Sequence, residues 1–369
     1  MSVIRRLLAA GFAAVVALSA VSAAPTAQAD PIRVVAVANQ DQTHAAADWI
    51  AAQWKANPES FNAGVLSDSI LALAASETQQ GVALQMLDEL KARAAGYATG
   101  PAPTAKLALV AAVMKVDATD FGGVDLLAAL DKGLAADPTA GGYFGPALAI
   151  LGLARNGVDV PPAVLEAGLA AQGPSGAFGY VETWNDNAFA EDADITGMMI
   201  AALLTIPDAP GAAEALEKAL AWASSQTIDA SYWASYSPAN TAGLLGSALE
   251  DAGTDVSRTL AWLVGQQLDN GAFAASLDGT TANLMATTQA ILLLAETSYA
   301  TVTFVPAEVS PPVDPDPGQN QTDPSPSPST TDETKPVKLP STGDADGLAG
   351  LITIVLVATA GGTVFARRR

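Results

Sequence analysis

Two aspartates stand close together near the middle of the chain, in Asp192-Ala193-Asp194-Ile195-Thr196-Gly197. Two placed carboxyls can divide acid and base roles, and glycan cleavage needs such a pair. Just before them, residues 173–191 read GPSGAFGYVETWNDNAFAE. This stretch gathers Tyr180, Glu182, Trp184 and Asp186 beside Phe178, Asn185, Asn187 and Phe189. Aromatic faces stack on sugar rings while carboxylates and amides bond hydroxyls, so the combination suits a carbohydrate or another small molecule. Trp233 and Phe273, in matching places further on, and Tyr236 are expected around the same mouth. The run Asn185-Asp186-Asn187 offers oxygen ligands for calcium but lacks EF-hand spacing. Plainer roles compete with these. Asp194 can cap a helix, as can Asn240 in the next repeat, and the recurring Phe178, Trp233 and Phe273 can simply fill space. With no cysteine and one histidine, His44, thiolate zinc, a cysteine nucleophile and a multi-histidine metal site are excluded. No cofactor is implied.

The elements that must position these residues repeat. Between residues 45 and 296 the pattern is a helix, a loop with glycine and an aromatic, and a second, more apolar helix. Glutamine recurs in Trp49-x3-Gln53, Gly168-x3-Gln172, Trp222-x3-Gln226 and Trp262-x3-Gln266, and an aromatic follows at Phe61, Phe178, Trp233 and Phe273. Two further hairpins, at about 80–116 and 124–155, keep the helical period without the glutamine. The spacing predicts six helix pairs in 252 residues, 42 per pair. The first helix of each pair is amphipathic, as in Ala213–Trp222, and the second is apolar nearly all round. An outer and an inner ring follow, so the expected class is all-α, an (α/α)6 toroid. An open helical array is the alternative and would need polar capping repeats. The starts of the inner helices would then line one mouth of the ring.

The glutamine-to-glycine/aromatic signature, best seen in Gln266-Gln-Leu-Asp-Asn-Gly-Ala-Phe273, is similar to the repeat of the squalene/hopene cyclase and protein prenyltransferase superfamily. The resemblance covers 45–296 and implies the toroid. It does not imply one activity, because that fold hosts several. The prenyltransferase zinc and the thioester each need a cysteine that is absent. The proton-donating DxDD motif of the cyclases is matched only in part, with Ile195 in place of its last aspartate.

The two ends carry addresses. Arg5 and Arg6, an apolar stretch from Leu7, and Ala27-Gln28-Ala29 form a secretory signal with cleavage expected before Asp30. Near the other end, Leu339-Pro340-Ser341-Thr342-Gly343 precedes an uncharged segment, 347–366, and Arg367–Arg369. Twenty residues at about 1.5 Å each span about 30 Å of bilayer, so a C-terminal transmembrane helix is expected. This order resembles the cell-wall sorting signal of Gram-positive surface proteins. It implies sortase cleavage after Thr342 and a covalent bond from Thr342 to peptidoglycan. The plan is then a signal peptide at 1–29, an irregular lead-in at 30–44 with a possible short strand at Ile32–Val37, and a toroid at 45–305. A linker at 306–338 with nine prolines in 33 positions follows, expected to be disordered and to reach on the order of 100 Å, and after it come the motif and the removed residues 344–369. Processing would leave 12 basic and 36 acidic residues, a charge that repels nucleic acid and anionic lipid. The functional expectation is an extracellular, wall-anchored binding or interaction module. The alternative is an extracellular enzyme, polysaccharide-active or terpene-cyclase-like, using the acids at the mouth.

Overall fold

The computed structural model describes residues 31–183 and 185–306. The signal segment with Ala27, Ala29 and Asp30, the linker from 307, the motif Leu339–Gly343, the apolar span and its basic tail all lie outside the described residues, as does Trp184. Among the described residues, no helix is long and apolar enough to cross a membrane.

The described chain is predominantly helical. It runs α1 (Pro31–Ala56), α2 (Ala63–Ala75), α3 (Gln80–Tyr97), α4 (Pro101–Met114), α5 (Leu126–Ala136), α6 (Gly145–Ala154) and α7 (Pro162–Ala170). Strands β1 (Gly179–Glu182) and β2 (Ala188–Glu191) lead into α8 (Ala193–Leu204) and α9 (Ala212–Ser225). Strands β3 (Thr227–Ile228) and β4 (Tyr232–Trp233) lead into α10 (Pro238–Thr241), a π turn (Ala242–Gly246) and α11 (Ser247–Asp251). Helix α12 (Ser257–Val264), β5 (Phe273–Ala274), β6 (Ala282–Asn283) and α13 (Leu284–Leu294) complete the order. Two expectations are corrected. The lead-in is not irregular and holds no strand, since α1 begins at Pro31. Three of the expected loops fold as two-stranded antiparallel hairpins.

Burial follows the predicted periodicity. In α1 the buried residues Asn39, Thr43, Ala46, Ala47, Ile50 and Ala51 form one stripe three to four residues apart. In α6 every residue from Gly145 to Leu153 is buried, as expected of an inner helix. The inner elements pack in sequence, α2 on α4, α4 on α6, α6 on α8, α8 on the π turn and α11, and the π turn on α13. Helix α13 then packs on α2, so the order of contacts returns to its start. Each outer helix lies on the inner helix of the preceding pair, α3 on α2, α5 on α4, α7 on α6 and α9 on α8, with α1 on α13. Glycine permits this closeness. A Cβ on Gly243 would stand 2.0 Å from the Gln289 carbonyl oxygen, and one on Gly197 would stand 2.7 Å from the Leu245 backbone.

The repeat signature has a mechanical role. Gln172 Nε2 donates to the Gly176 carbonyl of its own loop (2.9 Å) and to the Ala215 carbonyl of α9 (2.7 Å). Gln267 Nε2 does the same to Gly271 (2.8 Å) and to Gln42 of α1 (2.8 Å). The repeating glutamine of the last pair is therefore Gln267, not Gln266, and its amide ties the last pair to the first. Gly176 and Gly271 adopt φ of 100° and 85°, and a Cβ on either would stand 2.4 and 2.5 Å from the backbone carbonyl oxygens of Lys218 and Ala45. Gly271→Ala is expected to cost about 2–4 kcal/mol, from left-handed strain plus overpacking, measured as a lower urea midpoint. An unchanged midpoint would refute this role.

One element is absent from the sequence reading. After α13, residues 298–305 run past the C-terminal ends of α4 and α6, opposite the hairpins. Arg155 donates to the carbonyls of Tyr299 (2.7 Å) and Val302 (2.6 Å), Phe304 N to Val113 O (2.9 Å), and Gln80 Nε2 to Val305 O (2.7 Å). Asp251 accepts from Ser298 N (3.1 Å) and Thr301 Oγ1 (2.8 Å). Tyr299, Val302 and Phe304 are buried. Burial, followed by the charge of Asp68 on α2, pushes the Tyr299 hydroxyl well above its ordinary range, so its ring extends inward from this strap.

Candidate functional site

The hairpins stand where the outer helices give way to the inner ones, an end called the mouth below. Asp192 is the N-cap of α8, and its Oδ1 accepts from Ile195 N at 2.8 Å. Asn283 and Asn62 cap α13 and α2 in the same way. The expectation that Asp194 caps this helix is corrected, because Asp194 lies in the first turn and faces the next inner element. Its Oδ2 accepts from Asn240 Nδ2 (2.9 Å) and its Oδ1 from the Thr241 hydroxyl (2.6 Å). That hydroxyl lies 2.8 Å from Ser235 Oγ. Asn240 is likewise no cap, since Ser237 holds the N-cap position of α10.

This setting changes the acidity of the pair. Burial, and then the Asp192 carboxylate, push Asp194 up to about 7 against the two hydrogen bonds that favour its ionised form. Burial also raises Asp192, opposed by the backbone N–H groups of Ile195 and Asp194. Tyr180 extends the group. Burial, then Asp192 and Glu182, raise its hydroxyl, and its ring lies 4.2 Å from that of Tyr143, tilted by 31°. Tyr143 comes from the loop before α6 and was not foreseen. Glu182 accepts from Asn185 Nδ2 (2.7 Å) in the tip of the hairpin, where exposed Asp186 and Asn187 take φ of 50° and 56°. Among the described residues, no group of three or more side chains is arranged to hold a metal ion.

Tyr180, Glu182, Asp192 and Asp194 are thus brought together, with Asp186 further out on the hairpin tip. Trp233 and Phe273 do not join this group, although Trp233 lines part of an outer groove. Trp233 is 2% exposed, with Nε1 donating to Ala223 O at 2.8 Å, and Phe273 is 0% exposed. Their role is to fill the core, as does Phe178. Thr196 and Thr287 accept from the backbone N–H groups of Phe178 (3.0 Å) and Phe273 (2.9 Å), fixing those aromatics inward. Tyr236 is exposed. The two best-formed hollows of the described residues do not include this group. One, of about 10 Å³, lies between Trp262, Leu277 and Pro238; the other, of about 220 Å³, is an outer groove lined by Ser224, Thr254 and Arg258. Both fall short of the several hundred Å³ common for small-molecule pockets.

The partners of Asp194 were missed in the sequence, although the repeat held a signal. Asn240 and Thr241 stand 46 and 47 residues after it, close to one repeat length, which places them on the adjacent inner element. No protein-family model matches the chain, and no curated protein matches it either.

Proposed function

We propose that this chain is a cell-wall-anchored extracellular protein that carries an (α/α)6 toroid on a Pro-rich stalk and uses the mouth of the ring as its interaction face. The observation that carries this reading is the placement of the chain's two exits. Asn39 of α1 bonds Glu296 just after α13 (3.3 Å), and the strap 298–305 leaves from the end opposite the hairpins. A stalk beginning at residue 306 then holds the mouth away from its attachment. The closed order of inner contacts and the paired roles of Gln172 and Gln267 support the toroid and the likeness to the cyclase superfamily. The sorting pentapeptide supports attachment by sortase through Thr342. The small hollows favour a contact face over a deep pocket for a carbohydrate or other small molecule.

The test is fractionation of a sortase-bearing Gram-positive host expressing the full chain. Muramidase digestion should release the protein from the wall with Thr342 at its end, as read by mass spectrometry. Leu339→Ala with Pro340→Ala should move it to the membrane fraction; identical distribution of both forms would overturn the anchoring.

A second reading rests on Asp194. A carboxyl that keeps its proton up to about 7 can act as a general acid at neutral pH, on a polysaccharide or a terpenoid. Asp194→Asn would then abolish turnover with the circular dichroism spectrum intact, whereas a binding module has no turnover to lose.

A further inference from the structure

The mouth is predominantly acidic, with Lys55 at the end of α1 and Arg93, which donates to the Phe61 carbonyl at 2.6 Å, as cations at its edge. Its loops, residues 57–62, 98–100, 137–144, 171–192, 226–237 and 265–283, contain nine carboxylates and no lysine or arginine. The opposite end carries Lys115 and Arg155 among its acids. Lys106, deeper in the ring on α4, is neutralised by Asp68 at 2.7 Å.

The mouth is also where apolar groups meet water. Val181, Phe189, Tyr236, Leu277 and Met285 are exposed there, on three successive hairpin loops and the start of α13. Leu84 and Val305 are the exposed large apolar residues that lie elsewhere among the described residues. An apolar group of this kind, gathered on one face, marks a contact surface.

A third observation points to what the floor of this face lacks. Asn240 is 5% exposed and turns Nδ2 to Asp194, while its Oδ1 is buried without a hydrogen-bond partner among the described residues. A buried carbonyl oxygen of this sort is costly unless a donor reaches it. Asp194 retains acceptor capacity beyond its two bonds, since an ionised carboxylate has about four lone-pair sites. A group that donates several hydrogen bonds and carries positive charge answers both needs.

We propose that the mouth binds a cationic, amphipathic polypeptide segment of another molecule, with a lysine or arginine side chain reaching Asp192, Asp194 and Asn240 and its apolar neighbours covering the exposed side chains of the hairpins. The inference rests on the reading of the mouth as the interaction face. Charge complementarity selects the partner. A neutral glycan supplies no countercharge, and an acidic glycan or an anionic lipid surface is repelled. The exposed apolar groups favour a peptide over a simple amine.

The test uses the full-length chain in neutral-lipid nanodiscs, with empty nanodiscs subtracted. The probes are labelled 12-residue peptides of alternating Lys/Leu, Glu/Leu and Lys/Gly. The Lys/Leu peptide should bind, Lys/Gly should bind more weakly, and Glu/Leu should not bind. Affinity should fall at least tenfold between 50 and 500 mM salt, as expected when charge drives the contact. Asp192→Asn with Asp194→Asn should weaken it at least tenfold while circular dichroism is unchanged. Acidification from pH 8 to 6 should also weaken binding as Asp194 takes up its proton. Equal binding of Glu/Leu, indifference to the double substitution, or no binding of Lys/Leu would overturn the proposal. A gain in affinity on Lys335→Ala with Lys338→Ala would overturn it too, by showing the chain's own tail in the mouth. The wider reading is tested separately by Tyr236→Ala with Leu277→Ala on chain-displaying cells. Loss of cell contact there, without peptide binding, would keep the interaction face and reject this partner; unchanged contact would reject both.

Discussion

Ending the chain at Thr297 is expected to leave it largely unfolded at 25 °C, whereas ending it at Ser310 is expected to change little. The first cut removes Tyr299, Val302 and Phe304, all buried at the end of the helices opposite the hairpins. Each such side chain contributes about 1.5–3 kcal/mol, so the three together approach the total stability of an ordinary domain, about 5–15 kcal/mol. The cut also strips Arg155 of both carbonyl acceptors, at 2.7 and 2.6 Å, and leaves a partly buried cation without them. Far-ultraviolet circular dichroism and urea titration of the two truncations provide the measurement. Phe304→Ala, expected to cost about 3–4 kcal/mol, grades the effect without shortening the chain. Equal urea midpoints for the two truncations would show that the strap is only an exit path.

The second large effect is on pH dependence. Asp194 is raised to about 7 in the folded chain and would titrate near 3.9 when unfolded. Between those values the folded state holds the extra proton, so stability is greatest below about pH 4 and is lost as pH rises through about 7. Glu250 acts in the same direction. Burial, then Glu296 and Asp251, hold it at about 7, but its partial exposure leaves it a smaller, screened share. Asp194→Asn should therefore match the wild type at pH 4 and exceed it by on the order of 3 kcal/mol at pH 8. The replacement amide can donate to Asn240 Oδ1 once that side chain turns over, so no bond need be lost. A parallel pair of stability curves from pH 4 to 8 would refute the shift. A carboxyl that lowers stability where an amide would raise it is best understood as kept for binding or chemistry.

Much of the frame was legible from spacing alone. The 3.6-residue stripes marked outer helices such as α9, the long apolar runs marked inner ones such as α6, and the hairpins at 80–116 and 124–155 emerged within two residues of their predicted limits. These features depend on side chains three or four residues apart, which the sequence displays directly. The acidic pair and the loop before it were likewise legible as the most polar, least repetitive part of the repeat. The errors arose where local and distant partners compete. Asp192 and Asp194 are both suited to capping α8, and only the approach of Asn240 and Thr241 turns Asp194 away. Gln266 and Gln267 are adjacent and identical, and only the positions of Gly271 and Gln42 select the second. Trp233 and Phe273 were expected around the same mouth as the acids, but an aromatic in a loop can face either way, and neither joins that group. The Ala223 carbonyl and the Thr287 hydroxyl turn them inward.

The sequence by itself therefore determined the helical character of the described chain and such hairpins as α3 with α4 and α5 with α6, because burial period and backbone hydrogen bonding are set within a few residues. The proposed addresses at the two ends are likewise read from short contiguous strings. Tertiary structure alone decided what the acids at 192 and 194 become. Their acidity depends on water excluded by neighbouring elements and on donors a whole repeat away, and no spacing rule encodes either. The same is true of the strap. Tyr299, Val302 and Phe304 fall inside the expected 45–305 unit but after its last repeat, and only Arg155 and Val113, more than a hundred residues earlier, give them their place.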